Sequence, residues 1–278
     1  MSALPSYKVA AVQTVSTPKV EENLVAAGEL VAQAAGQGAK LVALPEYFCI
    51  FGMRERDKVA AREKDGAGPI QDFLSATAKR HGVWLVGGSV PLESSDPGKV
   101  RNSCLVYDAA GRRVARYDKI HLFGFEMGAE RFNEANTIEA GDTPLAIDSP
   151  FGRIALSVCY DVRFPELYRA LAPMDLILVP SAFTATTGRA HWETLLRARA
   201  VENLAWVLAP AQGGKHANGR ETHGHSMIVD PWGKIVAERA TGPGVIVAEI
   251  DPAYQAKVRA SLPALDHRRF GLTRKGVE

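Results

Sequence analysis

Cysteine is scarce in this chain. Three residues among 278, Cys49, Cys104 and Cys159, make an odd number with no C-x-x-C spacing, which points to neither a disulfide framework nor a cysteine-rich zinc site. A reducing compartment follows as the expectation. An excess of one sign of charge is missing too: 33 Lys and Arg stand against 31 Asp and Glu, a net +2, far from the basic surplus that neutralises a phosphate backbone. Nucleic acid is therefore not an expected partner. No apolar run approaches the roughly 18 residues needed to span a bilayer. The opening MSALPSYKVAAVQT enters an alternating segment without a basic n-region or cleavage site. The expectation is a soluble cytoplasmic protein with no membrane partner. Phosphate-cradling loops are lacking as well. Gly213-Gly214-Lys215 has neither the Ser or Thr nor the earlier Gly of a Walker loop, and Gly87-Gly88-Ser89 lacks G-x-G-x-x-G spacing. No Pro- or Ser-rich linker separates the halves, so one domain is expected over 1–278, with a core of about 6–250 and a C-terminal helix and tail over about 251–278.

What is present is a rhythm of strands and helices. YKVAAVQT reads as a strand, after which Val20, Leu24, Ala27 and Val31 recur at helical spacing until Gly36 and Gly38 stop the pattern. KLVALPE is a short apolar run ended by Pro45. Ile70, Phe73, Leu74 and Ala78 mark a second helix entered at Pro69, and VWLVGGSV follows as a buried-type strand. NSCLVYD and RRVARYDKI form a hairpin across Ala109-Ala110-Gly111. From residue 144 the rhythm repeats, with PLAIDS and GRIALSVCYD as strands, a helix over FPELYRALA and the strand DLILVPS. A long helix covers AHWETLLRARAVENLA, with Trp192, Leu195, Leu196 and Ala200 on its core face and Arg197 and Arg199 elsewhere. AWVLAPAQ, HSMIVDP, KIVAER and VIVAEID close the chain's strands. This alternation predicts an α/β fold built on mixed sheets.

Polar residues interrupt three strand ends: Glu46 after LVALP, Lys119 after RRVARYD and Cys159 after GRIALSV. In α/β sheets, functional groups gather where strands end and loops converge. Each residue alone has a plainer reading, a solvated strand end or a small buried hydrophobe. Together they form a reagent set for acyl transfer. A thiol is the nucleophile, a carboxylate takes its proton, and a fixed ammonium stabilises an oxyanion. They lie too far apart in sequence for local geometry to unite them, so spacing alone leaves this as one option among several.

The flanking residues resemble a known family. LPEYF around Glu46, YDKIHLF around Lys119 and SVCYDVRFPELYR around Cys159 occur in the order found in the nitrilase superfamily, carbon-nitrogen hydrolases with a Glu-Lys-Cys triad. The resemblance runs from KVAAVQT to LPALDHRR. It implies an αββα sandwich that commonly pairs into an αββα-αββα homodimer. It also implies covalent chemistry without metal or cofactor on a small-molecule amide. Cys159 attacks the carbonyl, Glu46 takes the thiol proton and delivers it to departing ammonia, and water hydrolyses the thioester. Lys119 and the backbone N–H of Tyr160 would hold the oxyanion, and Glu134 in RFNEANT matches a second, supporting glutamate. Arg163 is expected to tie Asp161 or Glu166 to the scaffold, with a substrate carboxylate as its other candidate partner. Phe183, Thr184, Lys215 and Arg220 are the remaining candidate substrate contacts, and 123–136 and 213–222 are the expected rim loops.

Rival constellations are thinner. His121, two residues beyond Lys119, could pair with Cys159, yet the local signatures of cysteine-protease nucleophiles are missing, and a hydrogen-bonded supporting role suits it better. His223 and His225 share a strand face but have no third ligand at recognisable spacing. A scaffold that kept the fold and lost the chemistry is disfavoured because all three triad positions are filled. Within the superfamily, PSAFTATTGRAHWETLLRARAVEN, AQGGKH and GHSMIVDPWG are most similar to the branch acting on deaminated glutathione, in which a 2-oxo group replaces the amino group. The ω-amidase branch, acting on 2-oxoglutaramate and 2-oxosuccinamate, is the alternative.

Overall fold

The computed structural model describes residues 4–128 and 130–271. Its first half contains β1 (Tyr7–Gln13), α1 (Val20–Gly36), β2 (Leu41–Ala43), α2 (Asp57–Ala60), α3 (Pro69–His81), β3 (Trp84–Val86), β4 (Val90–Glu93), β5 (Val100–Tyr107) and β6 (Arg113–Asp118). A small hairpin, β7 (Gly124–Met127) and β8 (Glu130–Asn133), leads into the second half. There follow β9 (Leu145–Ser149), β10 (Gly152–Leu156), a 3-10 turn over Cys159–Arg163, α4 (Pro165–Leu171), β11 (Leu176–Leu178), α5 (Ala185–Asn203) and β12 (Trp206–Ala209). The hairpin β13 (Gly213–Lys215) and β14 (Glu221–His223), the strands β15 (Ser226–Val229), β16 (Ile235–Arg239) and β17 (Gly244–Ile250), and α6 (Pro252–Ser261) complete it.

Two sheets result, in the orders β17-β1-β2-β3-β5-β4, with β6 also on β5, and β16-β15-β12-β11-β10-β9. Each has a parallel centre: Val9 pairs with Leu41 and Leu41 with Trp84 in one, Ile154 with Leu176 and Leu176 with Trp206 in the other. Alternation along β1 sets the layers. Val9 and Ala11 face inward with Leu41, Ala43 and Val86 and pack against Ile154, Leu156, Leu176 and Leu178 of the opposite sheet. Ala10 and Val12 point the other way, onto Ala27 and Val31 of α1 and Leu74 of α3. Trp192, Leu196 and Ala200 of α5 cover the outer face of the second sheet. The layers are thus helix, sheet, sheet, helix in a single αββα domain. The return of β17 to pair antiparallel with β1 joins the two halves in one sheet.

Three local expectations change. VWLVGGSV is not one strand but two, β3 and β4, divided where the chain turns at Gly88 (φ +52), a position at which a Cβ would lie 2.0 Å from the Pro45 carbonyl oxygen. Only glycine lets that backbone brace the residue before Glu46. The long helix starts earlier than AHWE, at Ala185, where Thr184 Oγ1 caps it by accepting from the Thr187 N–H at 3.2 Å. Arg199 lies inside rather than off the core face: it is 5% exposed, donates from Nε to the Val162 carbonyl at 2.8 Å and stands over the Tyr168 ring. The C-terminal helix is α6, and residues 272–278 of the expected tail lie outside the described residues. No helix among the described residues is long and apolar enough to cross a membrane.

Candidate active site

Each of the three strand ends is pinned by its own backbone contacts. Beyond β2 the Leu44 N–H still reaches the Val86 carbonyl at 2.9 Å, then Pro45 ends the ladder. Glu46 is followed by Tyr47 at a left-handed φ of 57, its N–H bound to Ser89 Oγ at 3.0 Å. Beyond β6, Lys119 donates its N–H to the Asn102 carbonyl at 3.0 Å and accepts from the Gly141 N–H at 2.8 Å. Beyond β10, Cys159 opens the 3-10 turn at a left-handed φ of 52, with its N–H on the Pro180 carbonyl at 2.9 Å. A non-glycine residue held in that region is strained and persists only where its surroundings over-determine it. Asp161 supplies that restraint. Its carboxylate accepts from the Val158 N–H at 2.9 Å, the Tyr117 hydroxyl at 2.7 Å and the His121 N–H at 3.0 Å, and His121 Nδ1 lies 2.7 Å away. His121 therefore ties the cysteine turn to the lysine arm.

The side chains converge in one buried cluster. Lys119 Nζ donates to Glu46 Oε1 at 2.9 Å and to Glu134 Oε2 at 2.7 Å. Asn102 Nδ2 adds a 2.9 Å bond to Glu46, while Glu134 also accepts from the Phe123 N–H at 2.7 Å and the Tyr47 hydroxyl at 2.8 Å. The Cys159 thiol lies beside the Glu46 carboxyl, and the residue is 7% exposed. Environment splits the two carboxylates. Burial, helped by the charge of Glu134 and opposed by Lys119, raises Glu46 above the ordinary carboxylate value. Burial also works against a charged Glu134, but Lys119, Lys58 and the donors around it outweigh that and lower it. Burial alone disfavours the Lys119 ammonium, yet the facing Glu134 and Glu46 hold it well above the usual lysine value. Burial and Glu46 push the Cys159 thiol well up, against the pull of Lys119. The raised thiol is therefore protonated at rest, with the Glu46 carboxyl beside it as the group able to take that proton.

Above the cluster opens a cavity. Glu46, Glu134, Cys159 and Tyr160 line it, as do the sequence candidates Arg163, Phe183, Thr184 and Arg220. Lys215 is not among the lining residues; it is exposed on β13. The Thr184 hydroxyl is engaged with Thr187 at 2.9 Å as part of its capping role. Arg163 does not tie Asp161 or Glu166 to the scaffold. Its guanidinium stands 5.6 Å from the Tyr160 ring centroid and 5.3 Å from that of Phe183, its Nη1 is 3.2 Å from His191 Nδ1, and its buried Nε has no hydrogen-bond partner. A buried donor without a partner, on a residue that lines the cavity, calls for an acceptor that the protein itself does not supply.

Both expected rim segments contribute, through Phe123, Phe132 and Asn133 and through Arg220. Sequence reading missed Tyr47, Glu55, Lys58, Asn102 and Thr187. Tyr47 and Asn102 lie inside motifs already singled out, whereas Glu55 and Lys58 fall on irregular chain and the short α2, with no periodic signal. His223 and His225 stack at 4.3 Å, and His225 Nδ1 is 2.5 Å from Glu238 Oε1. Burial and the neighbouring His225 push His223 down to about 4. No cluster of three metal-ligating side chains occurs among the described residues.

Known proteins are similar to this chain over nearly its whole length. The family model described as carbon-nitrogen hydrolase matches residues 8–260. A deaminated glutathione amidase of Synechocystis is 43% identical over 270 residues, covering 95% of this chain and 98% of that protein. An omega-amidase of Xenopus laevis is 37% identical over 273 residues, 97% of each. The crystal structure of a Saccharomyces cerevisiae protein, a member of branch 10 of the nitrilase superfamily, superposes with a TM-score of 0.87 at 31% identity, covering 96% of this chain and 98% of that one.

Proposed function

This chain belongs to the carbon-nitrogen hydrolase family and acts on amides, and from that premise we propose that it hydrolyses deaminated glutathione through a thioester on Cys159. The observation that carries the catalytic part is a single thiol sharing one cavity wall with Glu46 and Glu134, the two carboxylates that the fully buried Lys119 ammonium bridges. Glu46 takes the Cys159 proton as the sulfur bonds to the carbonyl carbon. The oxyanion is met by the Lys119 ammonium and the Tyr160 N–H; removing one such donor costs about 10²–10³-fold in rate. Glu46 then passes its proton to the leaving nitrogen as the C–N bond breaks. In the second half, Glu46 takes a proton from water, the hydroxyl adds to the thioester, and the proton returns to sulfur as the S–C bond breaks. Glu134, holding Lys119 and being held by Tyr47, positions the ammonium.

The leaving group follows from the substrate. Ammonia leaves a primary amide such as 2-oxoglutaramate. In deaminated glutathione the scissile nitrogen belongs to cysteinylglycine, so that amine leaves instead of the ammonia expected from the sequence. Both substrates would leave the same 2-oxoglutaryl group on Cys159, with its 2-oxo acid end toward the unsatisfied Arg163 Nε. The identity to the Synechocystis enzyme supports the larger substrate, and the Xenopus omega-amidase keeps 2-oxoglutaramate as the second reading. A homodimer in a reducing, cytoplasmic setting belongs to the same proposal: the family resemblance implies the first, and three free cysteines favour the second. The test is kcat/KM for both substrates on one preparation, with cysteinylglycine and ammonia identified as products. A higher constant for 2-oxoglutaramate makes the protein an omega-amidase, and turnover of no amide makes it a non-catalytic relative.

A further inference from the structure

The cavity's mouth holds a charged arrangement that the triad does not use. Glu55 Oε2 accepts from Lys58 Nζ at 2.8 Å, and Glu55 Oε1 accepts from Arg220 Nη1 at 3.1 Å. One carboxylate thus bridges two cations that come from opposite ends of the sequence. Both cations line the cavity that contains Cys159. They are supported by aromatic faces: the Arg220 guanidinium stands 4.6 Å from the Phe132 centroid and 5.1 Å from that of Phe51, and Lys58 Nζ stands 5.2 Å from the Tyr47 centroid. Glu55 has no such support and its side chain is 52% exposed. It also borders two neighbouring clefts. The cations are packed against rings, and the anion between them is the most exposed member of the three.

The geometry points to Lys58 and Arg220 as a specificity site for a carboxylate on the leaving-group half of the substrate, occupied by Glu55 when no substrate is bound. This rests on the function proposed above and deepens it. The two candidate substrates leave the same acyl group on Cys159, so discrimination between them must act on the leaving half. Cysteinylglycine carries a terminal carboxylate and ammonia carries none. Arg163, on the same cavity wall, is the partner proposed above for the acid of the acyl half, which leaves Lys58 and Arg220 as the lining cations for the other half. An incoming carboxylate takes over the two donors while Glu55 turns to solvent. Exchanging one partly exposed ion pair for another costs little, because solvent already screens the Glu55 contacts.

The experiment compares three amides with the same acyl half: deaminated glutathione, its glycine C-terminal carboxamide, and 2-oxoglutaramate. The native enzyme should favour the acid over the carboxamide by about tenfold in kcat/KM, as one charge-assisted contact allows. Where hydrolysis of the shared thioester limits turnover, kcat should be the same for all three. Arg220→Gln should collapse the acid-to-carboxamide ratio to about twofold or less, and Glu55→Gln should widen it by lowering KM for the acid alone. Raising salt should narrow the native ratio, so Glu55→Gln and the salt series still decide the matter if Arg220→Gln does not fold. Equal constants for acid and carboxamide, or a ratio indifferent to both substitutions, overturn the inference while leaving the amidase reading intact. Failure to turn over any of the three overturns that reading and takes this site with it.

Discussion

The inner end of the cavity and its mouth carry the same chemical groups at different depths. At the inner end a lysine sits between two glutamates with its side chain 0% exposed and Glu46 at 1%; at the mouth a glutamate sits between a lysine and an arginine, with 52% of the glutamate exposed. Depth decides what each arrangement does. At an effective dielectric of about 20, which describes buried sites best, two unit charges about 4 Å apart interact by about 4 kcal/mol, against about 1 kcal/mol in bulk water. Inside, therefore, each charge shifts the proton affinity of its neighbours, and Glu46 and Glu134 move in opposite directions. Outside, an exposed pair contributes about 0–1 kcal/mol, which is weak enough to be exchanged for a ligand. The inner set suits chemistry because it is held, and the outer set suits selection because it is not.

Breaking the inner end gives the largest effects. Cys159→Ala should lower turnover by at least about 10⁴-fold without loss of fold, since no other group there forms a thioester. Product release and a melting curve check both halves of that statement. A slow amide should leave its acyl group on the peptide carrying Cys159. Burial pushes the Cys104 thiol up to about 12 and raises Cys49 as well, so an adduct on either would reassign the nucleophile. Lys119→Met should cost about 10²–10³-fold in kcat and about 3–5 kcal/mol of stability, because Glu46 and Glu134 are left buried without their shared counter-charge. That stability loss should shrink as pH falls, since a proton on either carboxylate relieves the repulsion. A loss that grows toward acid pH contradicts the arrangement.

Glu134→Gln sharpens the comparison within the inner end. Glu134 raises Glu46, and removing its charge leaves Lys119 to act alone, so the proton affinity of Glu46 falls. Glu46 must be ionised to accept the thiol proton. The acid limb of the kcat/KM profile should therefore move to lower pH, with kcat down about tenfold as the ammonium loses its anchor. An acid limb that stays put or moves up removes Glu46 from the role of base.

The inner end was largely legible in the sequence and the mouth was not, for a physical reason. Glu46, Lys119 and Cys159 each interrupt an apolar strand end, a pattern that survives in one dimension. The flanking motifs then supply the pairing that spacing cannot. Glu55 and Lys58 follow Phe51 on chain with no hydrophobic period, and their partner Arg220 arrives from a hairpin far downstream, so only the folded chain unites them. The same limit explains Arg163. Its motif suggested a scaffold tie to Asp161, but the Tyr117 hydroxyl and His121 fill that carboxylate from a separate strand and loop. Arg199, placed off the core face by helical spacing, is buried because the Val162 carbonyl and the Tyr168 ring, from the turn and helix beneath it, give its guanidinium a place.

The smallest expected effect separates contact from general field at the mouth. Lys215 and Arg220 lie on one hairpin and carry the same charge, and both were sequence candidates for drawing an anionic substrate. Lys215 is exposed and stands opposite Glu221 in the β13–β14 register, so solvent and a nearby carboxylate screen it. Arg220 stands in the cavity wall against two aromatic rings. If recognition runs through direct contact, Lys215→Ala should change kcat/KM for deaminated glutathione by less than about twofold at physiological salt, because a solvated charge without a contact contributes little beyond a Debye length. If the summed positive field does the selecting, Lys215→Ala and Arg220→Gln should lower the constant by similar factors, and both losses should vanish together as salt is raised. Measuring the two variants across a salt series distinguishes these outcomes. Equal losses would move the origin of selectivity from the Lys58 and Arg220 pair to the surface charge of the whole rim.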